Sequence, residues 1–78
     1  MNKEYKIEMK FNGETFVEET EDLKKTIMSF KPEMLLTESY ITITKGEAEF
    51  QRKLTLVQTR KLFNDDVALD IFINNLVF

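Results

Sequence analysis

The fold is decided by residues 5–16, which read YKIEMKFNGETF. Apolar and charged side chains alternate at every step from Tyr5 to Phe11, which is the pattern of a half-buried β-strand. The Asn12-Gly13 dipeptide that follows can take positive φ angles at both central positions of a type I′ turn, so it predicts a two-residue hairpin. Counting outward from this turn pairs Met9 with Phe16 and places both on the apolar face.

A first helix is predicted after this hairpin. Thr20 can act as its N-cap, and Leu23, Ile27 and Phe30 follow at helical spacing as one buried stripe. Pro32 disfavours a helical conformation at the residue before it and should end the helix. Proline is tolerated at a first helical position, which would allow residues 32–36 to form one further short turn, and we expect the chain to bend there.

A second hairpin is predicted from Ser39 onward. Ile41 and Ile43 share one face of its first strand, which ends at the turn-like Lys45-Gly46. The return strand is predicted over residues 47–57. Arg52 interrupts the apolar face of that strand, and we expect its stem to lie along the sheet with the guanidinium at the edge.

The last third of the chain is predicted to be helical from about Thr59, with an interruption at residues 64–66, whose short polar side chains cap helices better than they continue them. From residue 66 to 77 one apolar stripe is formed by Leu69, Phe72, Ile73 and Leu76. A second stripe of Val67, Ile71 and Phe78 lies nearly opposite, so this helix is apolar on two sides. A strand over part of residues 69–78 is the alternative, because short apolar runs are ambiguous.

These elements predict a single α+β domain over residues 1–78, a ββα-ββα unit with a mostly antiparallel four-stranded sheet and its helices on one face. The predicted core face of the sheet comprises Ile7, Met9, Phe11, Phe16, Ile41, Ile43, Phe50, Leu54 and Leu56.

Composition argues against an enzyme. The chain has no histidine, cysteine or tryptophan, so the usual imidazole and thiol catalysts, zinc ligands and disulfides are missing. Asp65, Asp66 and Asp70 form the only compact aspartate cluster, which would be needed for acid–base chemistry or for a Mg²⁺ site. Capping explains these aspartates more simply. We predict no enzymatic activity, no cofactor, no catalytic residue and no metal site.

The start of the chain and its hydropathy predict where the protein lies. The polar opening MNKE predicts no signal peptide, and no apolar run reaches 18 residues, so a cytoplasmic protein that makes no membrane contact is expected.

Eleven basic residues against 14 acidic ones give a net charge of −3. Tyr40 with Arg52 and Lys53 comes nearest to a nucleic-acid surface, but Glu47 and Glu49 lie on the same hairpin and would repel phosphate.

The functional prediction is therefore protein–protein contact. Val67, Ile71 and Phe78 are the predicted interaction residues, joined by Phe63 if the helix is continuous through Asn64, because a two-layer fold leaves their side of the helix uncovered. The partner is predicted to be a second copy, giving a homo-oligomer, or another subunit of a larger assembly. As an alternative, the open edge of a hairpin would recruit a strand from another chain.

The residue usage is similar to that of proteins encoded by AT-rich genomes, with nine lysines, six isoleucines and five asparagines. In this respect the chain resembles small proteins of bacteriophages and other mobile elements. That resemblance implies an assembly or accessory protein, placed in a virion or in the host cytoplasm, or a small inhibitor or regulator that binds a host protein. It rests on composition alone and assigns no residue a role.

Overall fold

The computed structural model describes residues 3–78. The first two residues of the polar opening, on which the predicted absence of a signal peptide partly rests, lie outside this range. The elements, in chain order, are β1 (Tyr5–Phe11), β2 (Glu14–Thr20), α1 (Leu23–Ser29), β3 (Ser39–Lys45), β4 (Ala48–Leu54), α2 (Leu56–Asn64) and α3 (Asp66–Asn74). The predicted α+β class is confirmed.

The four strands form one open antiparallel sheet in the order β2-β1-β3-β4. Both hairpins have the predicted partners, and Met9 lies opposite Phe16 as counted from the turn. Asn12 and Gly13 have φ angles of 55° and 75°, the positive values that a type I′ turn requires. The two hairpins meet through β1 and β3, so β2 and β4 are the edge strands.

The core lies between one face of the sheet and the three helices. Ile7, Met9, Ile41 and Ile43 are almost completely buried at the centre of the sheet. The helices cover them with the following buried side chains: Leu23 and Ile27 from α1, Leu62 and Phe63 from α2, and Leu69 from α3. Phe16 and Phe50, on the edge strands, are only partly buried against this core.

Helix α1 begins later than predicted. Asp22, not Thr20, is its N-cap, and its carboxylate accepts a hydrogen bond from the Lys25 amide at 3.0 Å. The Thr20 hydroxyl instead accepts from the Asp22 amide at 2.9 Å, because Thr20 is still paired with Tyr5 at the end of β2. The buried stripe of Leu23, Ile27 and Phe30 is confirmed.

The segment after α1 bends at residues 33–34, as expected, and does not form the short helical turn that proline would allow over residues 32–36. It is held by Asn12 of the first hairpin turn. The Asn12 side-chain amide donates to the Met34 carbonyl at 2.8 Å, and its carbonyl oxygen accepts from the Leu36 amide at 2.7 Å. A tertiary contact therefore fixes this loop in place of local helical hydrogen bonds.

Strand β4 is shorter than predicted, because a helix begins where the strand was expected to continue. Thr55 caps α2 in a reciprocal capping box: its hydroxyl accepts from the Gln58 amide, and the Gln58 side chain accepts from the Thr55 amide. The placement of Leu56 on the sheet was therefore wrong, and so was the helix start near Thr59. The spacing Thr55-x-x-Gln58 is the sequence signal that identifies this helix start.

The predicted interruption at residues 64–66 is confirmed. Asp65 has extended backbone angles, ends α2 and begins α3, and its carboxylate accepts hydrogen bonds from the amides of Val67 and Ala68. Residues 66–74 are helical, so the strand alternative is wrong for this stretch. The helix ends at Asn74, three residues before the predicted end at residue 77. No helix within residues 3–78 is long and apolar enough to cross a membrane.

Candidate protein-binding surfaces

The outer side of α3 exposes two apolar side chains one helical turn apart. Val67 is 66% exposed and Ile71 is 55% exposed, whereas Leu69, on the opposite side of the same helix, is completely buried. Leu69 therefore lies on the predicted inner stripe of α3, and Val67 and Ile71 lie on the predicted outer stripe. We call Val67 and Ile71 the α3 stripe.

Phe63 does not belong to this stripe. It is 2% exposed, and its ring packs edge-on against that of Phe11, with the centroids 5.5 Å apart. Its inclusion depended on a helix that continued through Asn64, and Asp65 breaks that helix. Phe63 is a core residue and is therefore no longer a candidate interaction residue.

Phe78 also lies apart from the α3 stripe. It follows the end of α3, and its ring contacts that of Tyr5 on β1 with the centroids 6.1 Å apart. The side chain remains 42% exposed. The chain end therefore packs partly against the sheet, and Phe78 cannot lie on the outer side of α3 beside Ile71 as the helical extrapolation required.

One edge of the α3 stripe is bordered by an ion pair to α1. Lys24 Nζ lies 2.9 Å from Asp70 Oδ1. The hydrogen bond that Lys24 donates to Asp70, together with the negative charges of Asp70, Asp66 and Asp22, raises the pKa of Lys24 above its ordinary value. The border of the stripe is thus polar and fixed to a neighbouring helix, as is typical of the rim around an interaction surface.

The open face of the sheet, opposite the helices, is the second surface. The alternation of the strands places there the side chains of Lys6, Glu8, Lys10, Thr15, Val17, Glu19, Tyr40, Thr42, Thr44, Glu49, Gln51 and Lys53. Three of these are lysines and three are glutamates, so the face has no net formal charge. Tyr40 is its one aromatic residue and is 50% exposed.

The cations near Tyr40 are matched with acids. Lys53 lies 5.7 Å from the centre of the Tyr40 ring and 3.2 Å from Glu38. The hydrogen bond and charge of Glu38 are the leading causes that raise the pKa of Lys53. Lys10 has Glu8 at 4.0 Å. A phosphate backbone would have to displace these carboxylates, which disfavours nucleic-acid binding at this face.

The free edge of β4 is the third surface. Arg52 lies on β4, which is an edge strand. This agrees with the expectation that its guanidinium lies at the edge of the sheet. Its guanidinium carbon lies 5.2 Å from the centre of the Phe50 ring, and Phe50 in turn packs edge-on against Phe72 of α3. The aromatic core thus reaches the sheet edge, where Arg52 covers it.

The aspartates considered for catalysis occupy separate structural roles. Asp65 caps α3, and Asp70 pairs with Lys24. Within residues 3–78, no group of three or more acidic, histidine or cysteine side chains is placed to hold a metal ion. Helix capping thus explains Asp65, an ion pair between helices explains Asp70, and Asp66 lies in the first turn of α3.

In sequence and in fold, the chain matches no protein-family model, no curated protein and no solved structure.

Proposed function

We propose that this chain is a non-enzymatic protein-interaction or assembly protein that acts as an oligomer or as a subunit of a larger assembly. The observation that carries the proposal is the α3 stripe: Val67 and Ile71 are exposed on a helix whose opposite side is already buried in the core. Exposed apolar side chains arranged one turn apart suit the helix face of a protein–protein interface. A small structural or accessory protein of a bacteriophage or mobile element fits this proposal.

The roles of the polar residues support a binding function over catalysis. The aspartates serve as a cap and as an ion-pair partner, and the cations of the open sheet face have carboxylates beside them. A substrate would therefore have to compete with contacts that hold the fold together. Loss of a turnover in Asp65→Asn or Asp66→Asn, with the fold intact, would contradict the non-enzymatic assignment.

An inhibitor or regulator of a host protein is the alternative form of the same function. It is favoured by the free edge strands, which can accept a strand from a partner. The two forms differ in the partner, since an assembly protein binds copies of itself or other subunits and an inhibitor binds a foreign protein.

The mass in solution tests the proposal. Light scattering over a series of concentrations is compared for the native chain, Val67→Glu and Ile71→Glu, with Val17→Glu as the matched control on the open sheet face. Val17 is 50% exposed, so the control introduces the same charge at a comparably exposed valine. We expect the two α3 variants to lower the average mass or to lose a bound partner while the control does not. Folded α3 variants that keep the native mass and every partner would contradict the role of the α3 stripe.

A further inference from the structure

The free edge of β4 has a sequence that is complementary to itself when two copies run antiparallel. The strand reads AEFQRKL from Ala48 to Leu54, with an acid near one end, two cations near the other and Gln51 at the centre. Edge strands that avoid pairing usually carry charges that repel a second copy. Here reversal of the strand about Gln51 brings opposite charges together.

Along β4, the backbone N–H and C=O groups of every second residue make no hydrogen bond to β3 and are available to another strand. β3 and β4 are joined by a two-residue turn, and Lys45 pairs with Ala48 across it. The pair that flanks such a turn is hydrogen-bonded, and hydrogen-bonded pairs alternate with other pairs along an antiparallel ladder. The backbone groups of Phe50 and Arg52 therefore point toward β3. Those of Glu49, Gln51 and Lys53 point outward.

We propose that two copies of this chain dimerise by antiparallel pairing of their β4 strands about Gln51, which joins the two sheets into one. In this register Gln51 pairs with its own copy, and Glu49 pairs with Lys53 of the second copy. All of these residues direct their backbone groups to the edge, so each pair can exchange both main-chain hydrogen bonds. The proposal rests on the protein-binding function above, names a second copy as the partner at the β4 edge, and leaves the α3 stripe for another subunit.

The side chains agree with the backbone on this register. On the open face, the Glu49 carboxylate of one chain would join Glu38 beside the Lys53 ammonium of the other, which Glu38 contacts at 3.2 Å, and the symmetry repeats this arrangement. On the helix side, Arg52 would face Phe50 of the second copy in a non-hydrogen-bonded pair, where side chains lie closest. Arg52 already rests on Phe50 of its own chain, so the guanidinium is placed beside both rings.

Other symmetric registers of the same strand are poorer. A shift that centres the pair on Arg52 brings two guanidinium groups together, which is unfavourable. A shift that centres it on Phe50 places Glu49 opposite Gln51 and leaves Lys53 opposite Glu47, which lies in the turn and outside the strand. A shift by a single residue in one copy would bring outward backbone groups opposite inward ones. The pairing about Gln51 satisfies charge and hydrogen-bonding phase together.

The other edge of the sheet lacks this complementarity. β2 carries Glu14, Glu18 and Glu19 and has no basic residue. Two β2 strands can therefore form no ion pair in any register. Pairing of β2 with β4 of another copy would leave one edge of each type open and would produce chains of growing length. A closed dimer through β4 ends at two subunits and leaves two acidic edges that repel further addition.

Charge reversal tests the register directly. The masses of native, Glu49→Lys and Lys53→Glu chains are measured by sedimentation over a range of concentrations. We expect the native chain to dimerise and each variant to do so roughly tenfold or more weakly, because each reversal turns two attractive contacts into repulsive ones. In an equimolar mixture of the two variants, both contacts are attractive again. The mixture should therefore form a heterodimer at near-native concentrations.

Proline substitution tests the backbone pairing independently of charge. Gln51→Pro removes an outward amide that the dimer requires, so this variant should be a monomer. The monomer should still fold, since proline is tolerated at an edge position whose amide faces solvent. Val17→Pro is the matched control, because the Val17 amide points outward from β2 by the same alternation, and this variant should remain a dimer. Circular dichroism confirms the fold of each variant, and concentration-dependent protection of the Gln51 amide from hydrogen exchange is expected in the native chain and in Val17→Pro.

Several outcomes would overturn the proposal. The native chain would stay monomeric at every concentration, or its mass would grow beyond the dimer. A mixture of the charge variants would associate no better than either variant alone. A Gln51→Pro variant would remain a dimer. If that dimer is instead broken by Ile71→Glu, the protein-binding function stands and the α3 stripe is the interface. If the native chain neither self-associates nor binds a partner, the proposed function fails as well.

Discussion

The hydroxyl oxygens of Ser39 and Thr59 lie 2.8 Å apart inside the core, where both side chains are completely buried. Thr59 is also 2.8 Å from the Thr55 carbonyl, to which it donates its one hydroxyl proton. Ser39 is therefore the donor to Thr59. This chain of hydrogen bonds joins the start of β3 to the first turn of α2, so the second hairpin and the helix after it are linked by buried polar groups.

Thr59→Val should destabilise the protein by about 1–3 kcal/mol, because it leaves the buried Ser39 hydroxyl without its acceptor while it preserves side-chain shape. Ser39→Ala should cost less, since Thr59 keeps the Thr55 carbonyl as acceptor. The double variant should cost less than the sum of the two single variants. Urea unfolding of all three variants measures these differences. Strict additivity would show that the two hydroxyls are not coupled.

The sheet was predictable because its signals are local. Alternation over residues 5–11 and the Asn12-Gly13 turn fix both the first hairpin and its register. The start of α2 was missed because Leu54 and Leu56 continue the strand alternation, and the capping box of Thr55 and Gln58 ends the strand regardless. At α1, Thr20 and Asp22 are both competent caps. The choice depends on where β2 stops pairing with β1, which is a tertiary property.

The buried sheet residues should contribute most to stability. Ile7→Ala and Leu54→Ala should each cost about 2–5 kcal/mol, since both side chains are buried and their removal leaves a cavity. Val57→Ala is the control: Val57 is exposed on α2, and its truncation should change the free energy of unfolding by less than about 0.5 kcal/mol. Chemical denaturation compares the three variants. Equal stabilities for Ile7→Ala and the control would contradict this core.

Asn12 should be more than a turn residue, because it holds the loop after α1 through Met34 and Leu36. Asn12→Gly keeps the freedom to adopt positive φ and loses both side-chain hydrogen bonds, which should cost about 1–3 kcal/mol. Asn12→Ala should be worse by roughly a further 1 kcal/mol, since alanine resists positive φ. Both variants should speed hydrogen exchange at the Leu36 amide. A native exchange rate in Asn12→Gly would show that the loop is held by other contacts.

The candidate surfaces were predictable only where they follow from one helix. The exposure of Val67 and Ile71 follows from the helical period and the burial of Leu69 on the other side. Phe63 and Phe78 were misplaced because they lie beyond the two ends of α3, where the helical period no longer applies. For the β4 edge the sequence signal was Arg52, whose guanidinium was expected at the edge of the sheet; alternation alone allows either strand of the second hairpin to lie next to β1. The pairing of β1 with β3 decides it.

Asp65 gives the clearest separation between a structural and a catalytic carboxylate. Its Oδ1 accepts from the amides of Val67 and Ala68 at 3.0 and 3.1 Å and so begins α3 directly after α2 ends. Asp65→Ala should cost about 0.5–2 kcal/mol, the usual effect of removing an N-cap. Asp65→Asn should be close to neutral, because the asparagine carbonyl oxygen can accept the same bonds. Thermal unfolding measures both variants, with Asp66→Asn as a control at the first helical position. Because α3 carries Val67 and Ile71 on its outer side, Asp65→Ala should also weaken any association that uses the α3 stripe. An Asp65→Asn variant as unstable as Asp65→Ala would show that the negative charge, and not the cap, is what the protein requires at this position.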